Sequence, residues 1–300
     1  MEVSWTGVFP AATTQFRADQ TLDLEATQQH LRRLIDSGVD GLIVLGTLGE
    51  NTALEPDEKR AVLTAAIEAA EGRVPVLSGV AECSTALACR FAADAQALGA
   101  DGLMVLPAMV YRSDGRETVE HFRAVARASA LPILCYNNPV AYGVDVTPEM
   151  FAELADEETL LAIKESSDDP RRITDIVNVC GARYRLFCGV DDLVLESALL
   201  GAIGWVAGLV NAFPEDCVRL WRLAAEGRYG EARELYRRLM PVLHLDSHAK
   251  LVQCVKLAQA LAGLGSETVR APRLPLDGEE RRQVAAVVQA ALDSRAEAAE

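Results

Sequence analysis

No Cys-x-x-Cys pair occurs in the 300 residues, and the seven cysteines (Cys83, Cys89, Cys135, Cys180, Cys188, Cys217 and Cys254) are scattered and odd in number. That pattern excludes a disulfide framework and a thiolate zinc site. It leads us to expect reduced, mostly buried thiols in a cytoplasmic protein. Positive charge is in deficit as well. With 29 Lys and Arg against 44 Asp and Glu, the formal net charge is −15. This argues against nucleic acid or an anionic membrane as a partner, whereas a small anionic substrate needs only local donors. The start of the chain, Met1-Glu2-Val3-Ser4-Trp5, has neither a basic nor an apolar segment, so no signal peptide is expected. No apolar run reaches transmembrane length; the stretch from Leu195 to Val210 is broken by Gly201, Gly204 and Gly208. Aromatic residues make up only 5%, and the apolar half of the chain is mostly Ala, Leu and Val, which suits helices packed on parallel strands.

What is present is repetition. Ser37-Gly38-Val39-Asp40-Gly41-Leu42 is echoed by Leu98-Gly99-Ala100-Asp101-Gly102-Leu103 and, more weakly, by Leu200-Gly201-Ala202-Ile203-Gly204-Trp205. Each copy follows a helical pattern and precedes a short apolar strand. The first glycine suits a left-handed residue after a helix, and the second is expected to allow close helix-to-strand packing. Extending the pattern gives eight strand–helix units in about 225 residues, matching an α/β fold of the (β/α)8 TIM barrel type, which typically needs ~250. An open doubly wound sheet is the weaker alternative, because no Gly-x-Gly-x-x-Gly follows the first strand. After Glu226 the strands stop and three helical stretches follow. We therefore divide the chain into a barrel, 1–226, and a C-terminal helical extension, 227–300, packed on the barrel's flank or in a subunit contact. Residues 295–300 read as a frayed end.

Strand C-termini in such a fold open onto the ligand site. The sixth strand, Leu160-Leu161-Ala162-Ile163, ends in Lys164. Taken alone, this lysine either reaches water or pairs with Glu165, or is a desolvated amine able to attack a carbonyl. After the second strand, Gly46-Thr47-Leu48-Gly49-Glu50 places two glycines around a hydroxyl, either as a plain turn or as an anion cradle. Tyr136 ends the fifth strand, as a core tyrosine or a proton shuttle. Gly189-Val190-Asp191-Asp192 reads as a turn and helix cap rather than as catalytic carboxylates. His244 and His248 flank Asp246, but Asp246-Ser247 reads as a helix cap in the extension, away from the barrel mouth. A metal site there is set aside.

Together, GTLGE at 46–50, YNNP at 136–139, IKES at 163–166 and GVDD at 189–192 resemble the dihydrodipicolinate synthase / N-acetylneuraminate lyase family, over essentially the whole chain. The resemblance implies an enzyme: a class I (lysine Schiff base) barrel, usually a homotetramer, with no metal and no organic cofactor. In it Lys164 would attack a 2-oxo acid such as pyruvate, or its cyclic imine, and Tyr136 would relay the proton. Thr47, with the backbone N–H groups of Thr47 and Leu48, would hold the substrate carboxylate.

Three departures bear on the substrate. Leu48 stands where a dihydrodipicolinate synthase carries a second threonine. Pro107-Ala108-Met109-Val110-Tyr111 replaces a tyrosine pair, leaving Tyr111 displaced in register. Val140-Ala141-Tyr142 follows Pro139 without the arginine that grips a second carboxylate. These changes argue against lysine biosynthesis, and missing polar residues argue against sialic acid cleavage. Tyr111, Tyr142 and Val206 are the further candidates for contact with the substrate's distal side. The chain is most similar in flavour to Δ1-pyrroline-4-hydroxy-2-carboxylate deaminases of hydroxyproline breakdown. A pyruvate-dependent aldolase or dehydratase of another pathway is the alternative, and a non-catalytic binding barrel is the rival from another class.

Overall fold

The computed structural model, which describes residues 3–297, is a ring of parallel strands. The strands are β1 (Gly7–Pro10), β2 (Leu42–Val44), β3 (Val76–Val80), β4 (Gly102–Val105), β5 (Ile133–Asn137), β6 (Leu160–Glu165), β7 (Arg185–Cys188) and β8 (Gly204–Ala207). Each lies beside its neighbour in sequence, β8 returns to β1, and an Ala11–Ile43 bridge joins the ends of β1 and β2. Around the ring run α1 (Leu24–Asp36), α2 (Pro56–Ala70), α3 (Thr85–Leu98), α4 (Gly115–Ala128), the single turn α5 (Pro139–Tyr142), α6 (Pro148–Glu153), α7 (Arg171–Cys180), α8 (Val194–Leu199) and α9 (Pro214–Ala225). This is the expected (β/α)8 barrel. Nearly all strand residues are buried because helices cover one face and side chains fill the other. Among the described residues no helix is long and apolar enough to cross a membrane.

The repeated joints show why the units stack. Gly38, Gly99 and Gly201 all sit at φ between 88° and 106°, the left-handed position that ends a helix. The aspartates that follow two of them bind backwards: Asp40 accepts from the Val8 N–H at 2.8 Å and Asp101 from the Val76 N–H at 2.9 Å. Each carboxylate thus pins the start of one strand to the preceding one. The second glycine has a different reason from the one expected. A Cβ at Gly41, Gly102 or Gly204 would lie 2.1, 2.4 or 2.2 Å from the rings of Phe9, Trp5 and Phe187. These glycines make room for aromatic side chains that plug the bottom of the barrel, rather than for a helix.

Three helices follow the barrel: α10 (Tyr229–Leu243), α11 (Leu251–Leu261) and α12 (Gly278–Glu297). α10 packs on α9, and α12 packs across α10 and α11. α12 continues to Glu297, into the stretch expected to fray; the remainder of that expectation, 298–300, lies outside the described residues. The chain between α10 and α11 departs from the reading of Asp246-Ser247 as a helix cap. His244–Ser247 form a 3-10 turn, and α11 begins only at Leu251, after Lys250. The turn folds over the C-terminal end of the barrel, so the extension also roofs the site.

Candidate active site

β5 and β6 pair in register with Tyr136 opposite Lys164. Both side chains therefore rise at the same height from the strand ends into one cavity of about 420 Å³. Lys164 is 6% exposed, and its Nζ lies 3.8 Å above the centroid of the Tyr136 ring. Loss of hydration lowers the lysine's pKa, an effect partly offset by the neighbouring Asp246, Tyr142 and Asp191 side chains. Burial pushes the Tyr136 hydroxyl up to about 12, so at neutral pH it is a phenol with a proton to share. Asn138 Nδ2 donates to that hydroxyl at 3.1 Å.

The lysine's conformation depends on a neighbour with no side chain. A Cβ at Gly189, on the loop after β7, would stand 2.0 Å from Ser166 Oγ and 2.7 Å from Lys164 Cε. Gly189→Ala is therefore expected to destabilise the fold by about 1–3 kcal/mol through overpacking. It should also slow turnover by roughly 10²-fold by displacing the amine. Denaturant melts and steady-state rates measure the two effects.

Thr47 is set by a strained turn. Leu45 closes β2 at φ 60° and Glu50 sits at φ 54°, positions unusual for residues with side chains. The turn is held by Asn51 Nδ2, which donates to the Leu45 carbonyl at 2.9 Å, and by Thr14 Oγ1, which donates to the Gly49 carbonyl at 2.8 Å. Its buried Glu50 carboxylate accepts from Lys256 Nζ of α11 at 2.8 Å and from the Arg270 N–H at 2.9 Å. Thr47 Oγ1 shares a short hydrogen bond with the Tyr142 hydroxyl. α5 carries Tyr142 inward. Asn138 caps the turn through the Ala141 N–H at 2.8 Å, Pro139 starts it, and Gly143 ends it at φ 71°. The Tyr142 ring meets that of Tyr136 edge-on, with centroids 5.7 Å apart.

Thr47, Leu48, Tyr136, Tyr142, Lys164 and Val206 all line the cavity. Tyr111 does not. It is 60% exposed, and its hydroxyl donates to the Glu117 carboxylate at 3.1 Å, which turns it away from the barrel mouth of its own chain. Other residues on the wall escaped the sequence reading. Asp246, Ser247 and His248 come from the roof turn, and Arg273 from the segment before α12. The placement of the His244–His248 stretch away from the mouth is thus corrected. Asp192 accepts from His244 Nδ1 at 2.6 Å, and the Asp191 N–H donates to Asp246 Oδ2 at 3.2 Å. Asp191 is no helix cap either. Wholly buried, it accepts from Trp205 Nε1 at 2.9 Å and the Leu209 N–H at 2.7 Å, and burial raises its carboxyl to about 6. The signal available was the concentration of His244, Asp246 and His248 in a chain with four histidines. Its distance from the strands in sequence hid it.

Comparison with known proteins agrees with this architecture. The model of the dihydrodipicolinate synthetase family matches residues 4–291. A 4-hydroxy-tetrahydrodipicolinate synthase of Halalkalibacterium halodurans is 31% identical over 277 residues, covering 92% of this chain and 94% of its own. An Escherichia coli protein named "Probable 2-dehydro-3-deoxy-D-pentonate aldolase YjhH" is 32% identical over 283 residues, covering 93% and 94%. The solved structure of YagE, an E. coli K12 prophage protein of the dihydrodipicolinic acid synthase family in complex with pyruvate, superposes with a TM-score of 0.91 at 30% identity, covering 97% of this chain and 99% of that one. The chain belongs to the dihydrodipicolinate synthetase family, whose members are lyases and aldolases of small molecules.

Proposed function

We propose that the protein is a class I lyase in which Lys164 forms a Schiff base at C2 of a 2-oxo acid or of its cyclic imine. The observation that carries this reading is the desolvated Lys164 amine in the cavity at the strand ends, stacked on a phenol that holds its proton. The pyruvate complex of the E. coli relative supports it. Thr47 Oγ1 and the N–H groups of Thr47 and Leu48 would hold the substrate carboxylate. The lysine iminium then serves as the electron sink while Tyr136 moves the proton at C3.

For the substrate, the reading best supported is 1-pyrroline-4-hydroxy-2-carboxylate, with release of ammonia. Around the distal end the wall offers Leu48, Met104, Val140 and Val206, and its guanidinium, Arg273, lies 3.8 Å from the Glu50 carboxylate, which offsets its charge. No arginine follows Pro139. The stoichiometry closes as follows. Lysine attack opens the ring at C2 and frees the amine. The C4 hydroxyl departs as water with the C3 proton, and transfer of a C5 proton to C3 and of an N–H proton to C4 then shifts the new double bond to C5–N as the terminal imine. Two waters then enter, one at the lysine iminium and one at the terminal imine, leaving 2-oxoglutarate semialdehyde and ammonia. Aldol cleavage releasing pyruvate is the second reading, favoured by the pentonate aldolase relative. The synthase relative keeps a pyruvate-consuming condensation in play despite the changes at Leu48 and Ala141. A homotetramer and a cytoplasmic location belong to this proposal, supported by the exposed apolar Val110, Tyr111 and Val140 and by seven free thiols; light scattering tests the assembly.

The expected result is a borohydride-fixed pyruvate adduct whose mass maps to Lys164, together with ammonia from the hydroxylated pyrroline. Pyruvate released instead selects the aldolase, and pyruvate consumed with an aldehyde selects the synthase. No adduct with any of a set of 2-oxo acids would sink the lyase reading in favour of a binding barrel.

A further inference from the structure

We infer that Asp246, which comes from the roof turn rather than from a barrel strand, is the acid that protonates the leaving hydroxyl in the reaction at Lys164. The inference rests on the Schiff-base and deaminase readings above; a wild type that traps pyruvate but releases no ammonia refutes the deaminase reading and this inference, and leaves the Schiff base standing. Asp246 and Lys164 line the same cavity, whose wall carries two carboxyl groups among the described residues. The other, Asp168, is exposed at the rim. Asp246 is anchored through one oxygen only: Oδ2 accepts from the Asp191 N–H at 3.2 Å. Oδ1 rests against the α-carbon of Gly208 at the end of β8, 2.7 Å from where a Cβ would stand, and no donor among the described residues binds it. The missing side chain at residue 208 is what lets this oxygen reach over the strand ends.

The charges around the carboxyl suit an acid. It is faced by Asp191 and Asp192 from the turn after β7, by Lys164 of β6 and by the Tyr136 phenol of β5, with His244 and His248 on its own turn. Burial, reinforced by Asp191, holds its pKa well above the usual carboxylate range, and Lys164 opposes this only in part. A carboxyl whose pKa is raised is better matched to protonating a departing hydroxyl than an ordinary aspartate.

The step balances without a redox partner. The amine freed by ring opening takes the C3 proton, relayed through the Tyr136 hydroxyl, and the lysine-bound iminium becomes the enamine. The enamine electron pair makes the C3–C4 double bond as the C4–O bond breaks, and both electrons of that bond stay on oxygen. The Asp246 proton joins that oxygen, so water leaves. Asp246 is then a carboxylate, which recovers a proton from the water that hydrolyses the iminium.

The test compares full-length wild type with Asp246→Asn in three assays. Borohydride trapping of pyruvate at Lys164 and deuterium exchange of the pyruvate methyl group, which need the enamine but no departing hydroxyl, are expected to fall by no more than about tenfold, the loss that a shifted Lys164 alone would cause. Ammonia release from the hydroxylated pyrroline is expected to fall at least about 10²-fold. A 4-chloro analogue, whose chloride leaves without a proton, is expected to react within a few fold of wild type. Asp246→Ser, which also removes the acid, should give the same split and replaces the first variant if that one does not fold. Equal losses in exchange and in ammonia release would overturn the proposal by reducing Asp246 to a clasp for the roof turn. Unchanged ammonia release would overturn it outright. A wild type that forms no adduct at all refutes the lyase reading itself, and this inference with it.

Discussion

Replacing Lys164 with alanine is expected to abolish the borohydride-fixed adduct and to lower turnover by roughly 10⁴-fold or more, because removal of a covalent nucleophile leaves only binding and polarisation by the remaining groups. The chain should still fold, since a buried amine opposes stability rather than supplying it. Deprotonating a free lysine at pH 7 costs roughly 4–5 kcal/mol, and burial of Lys164 removes part of that cost by disfavouring the ammonium. The same shift fixes the pH dependence. The amine is the reactive form, so kcat/KM should rise with pH as Lys164 loses its proton, and its rising limb should lie below the pH ~10.4 expected for an unperturbed lysine. Measuring kcat/KM from acid to alkaline pH checks the sign. A rising limb at or above the free-lysine value would mean that the amine is hydrated.

The second large effect concerns stability. Lys256 and Glu50 are both fully buried and meet at 2.8 Å. Lys256 also donates to the Thr268 carbonyl at 2.6 Å and lies 4.4 Å from the centroid of the Phe16 ring. Lys256→Met removes the cation and strands a buried carboxylate, which costs about 3–5 kcal/mol when one partner of such a pair is lost. The Arg270 N–H at 2.9 Å and Arg273 at 3.8 Å offset only part of that. Chemical denaturation should show the loss directly. Because Glu50 closes the turn that carries Thr47, KM should rise as well. Pairing Lys256→Met with Glu50→Gln should recover much of the stability, as the buried charge is then gone; a double variant as unstable as the single one would assign the loss to packing around Phe16.

The barrel strands were legible because parallel strands covered on both faces appear as short continuous apolar runs between turn residues. The strand containing Lys164 shows this pattern, and so does the stretch that ends in Tyr136. Three features escaped for definable reasons. The second glycines of the repeated joints were assigned to helix packing, yet what they accommodate, the rings of Phe9, Trp5 and Phe187, sits 17 to 97 positions away in sequence, where no local pattern reaches. The turn α5 gives no sequence signal because Asn138-Pro139 reads as a turn, and only three residues follow before Gly143 stops the helix. Asp246 looked like a helix cap because an acid followed by a serine before an apolar run usually is one. Its actual partner, the Asp191 N–H, belongs to a loop that only the closed ring brings near. Tyr111 was an expectation drawn from family resemblance rather than from spacing, and in the single chain its hydroxyl is taken by Glu117.

The roof turn and the Glu50–Lys256 pair also bear on the order in which the molecule is made. Glu50 and Lys256 are 206 positions apart, and Asp246 follows all eight strands. Ribosomes add roughly 5–20 residues per second from the N-terminus. A nascent chain therefore exposes Lys164 for several seconds before Asp246 and Lys256 exist, with the Thr47 turn unbraced and one side of the cavity open. If Asp246 acts as proposed, a chain cut short after its final strand would keep its lysine and lose its acid.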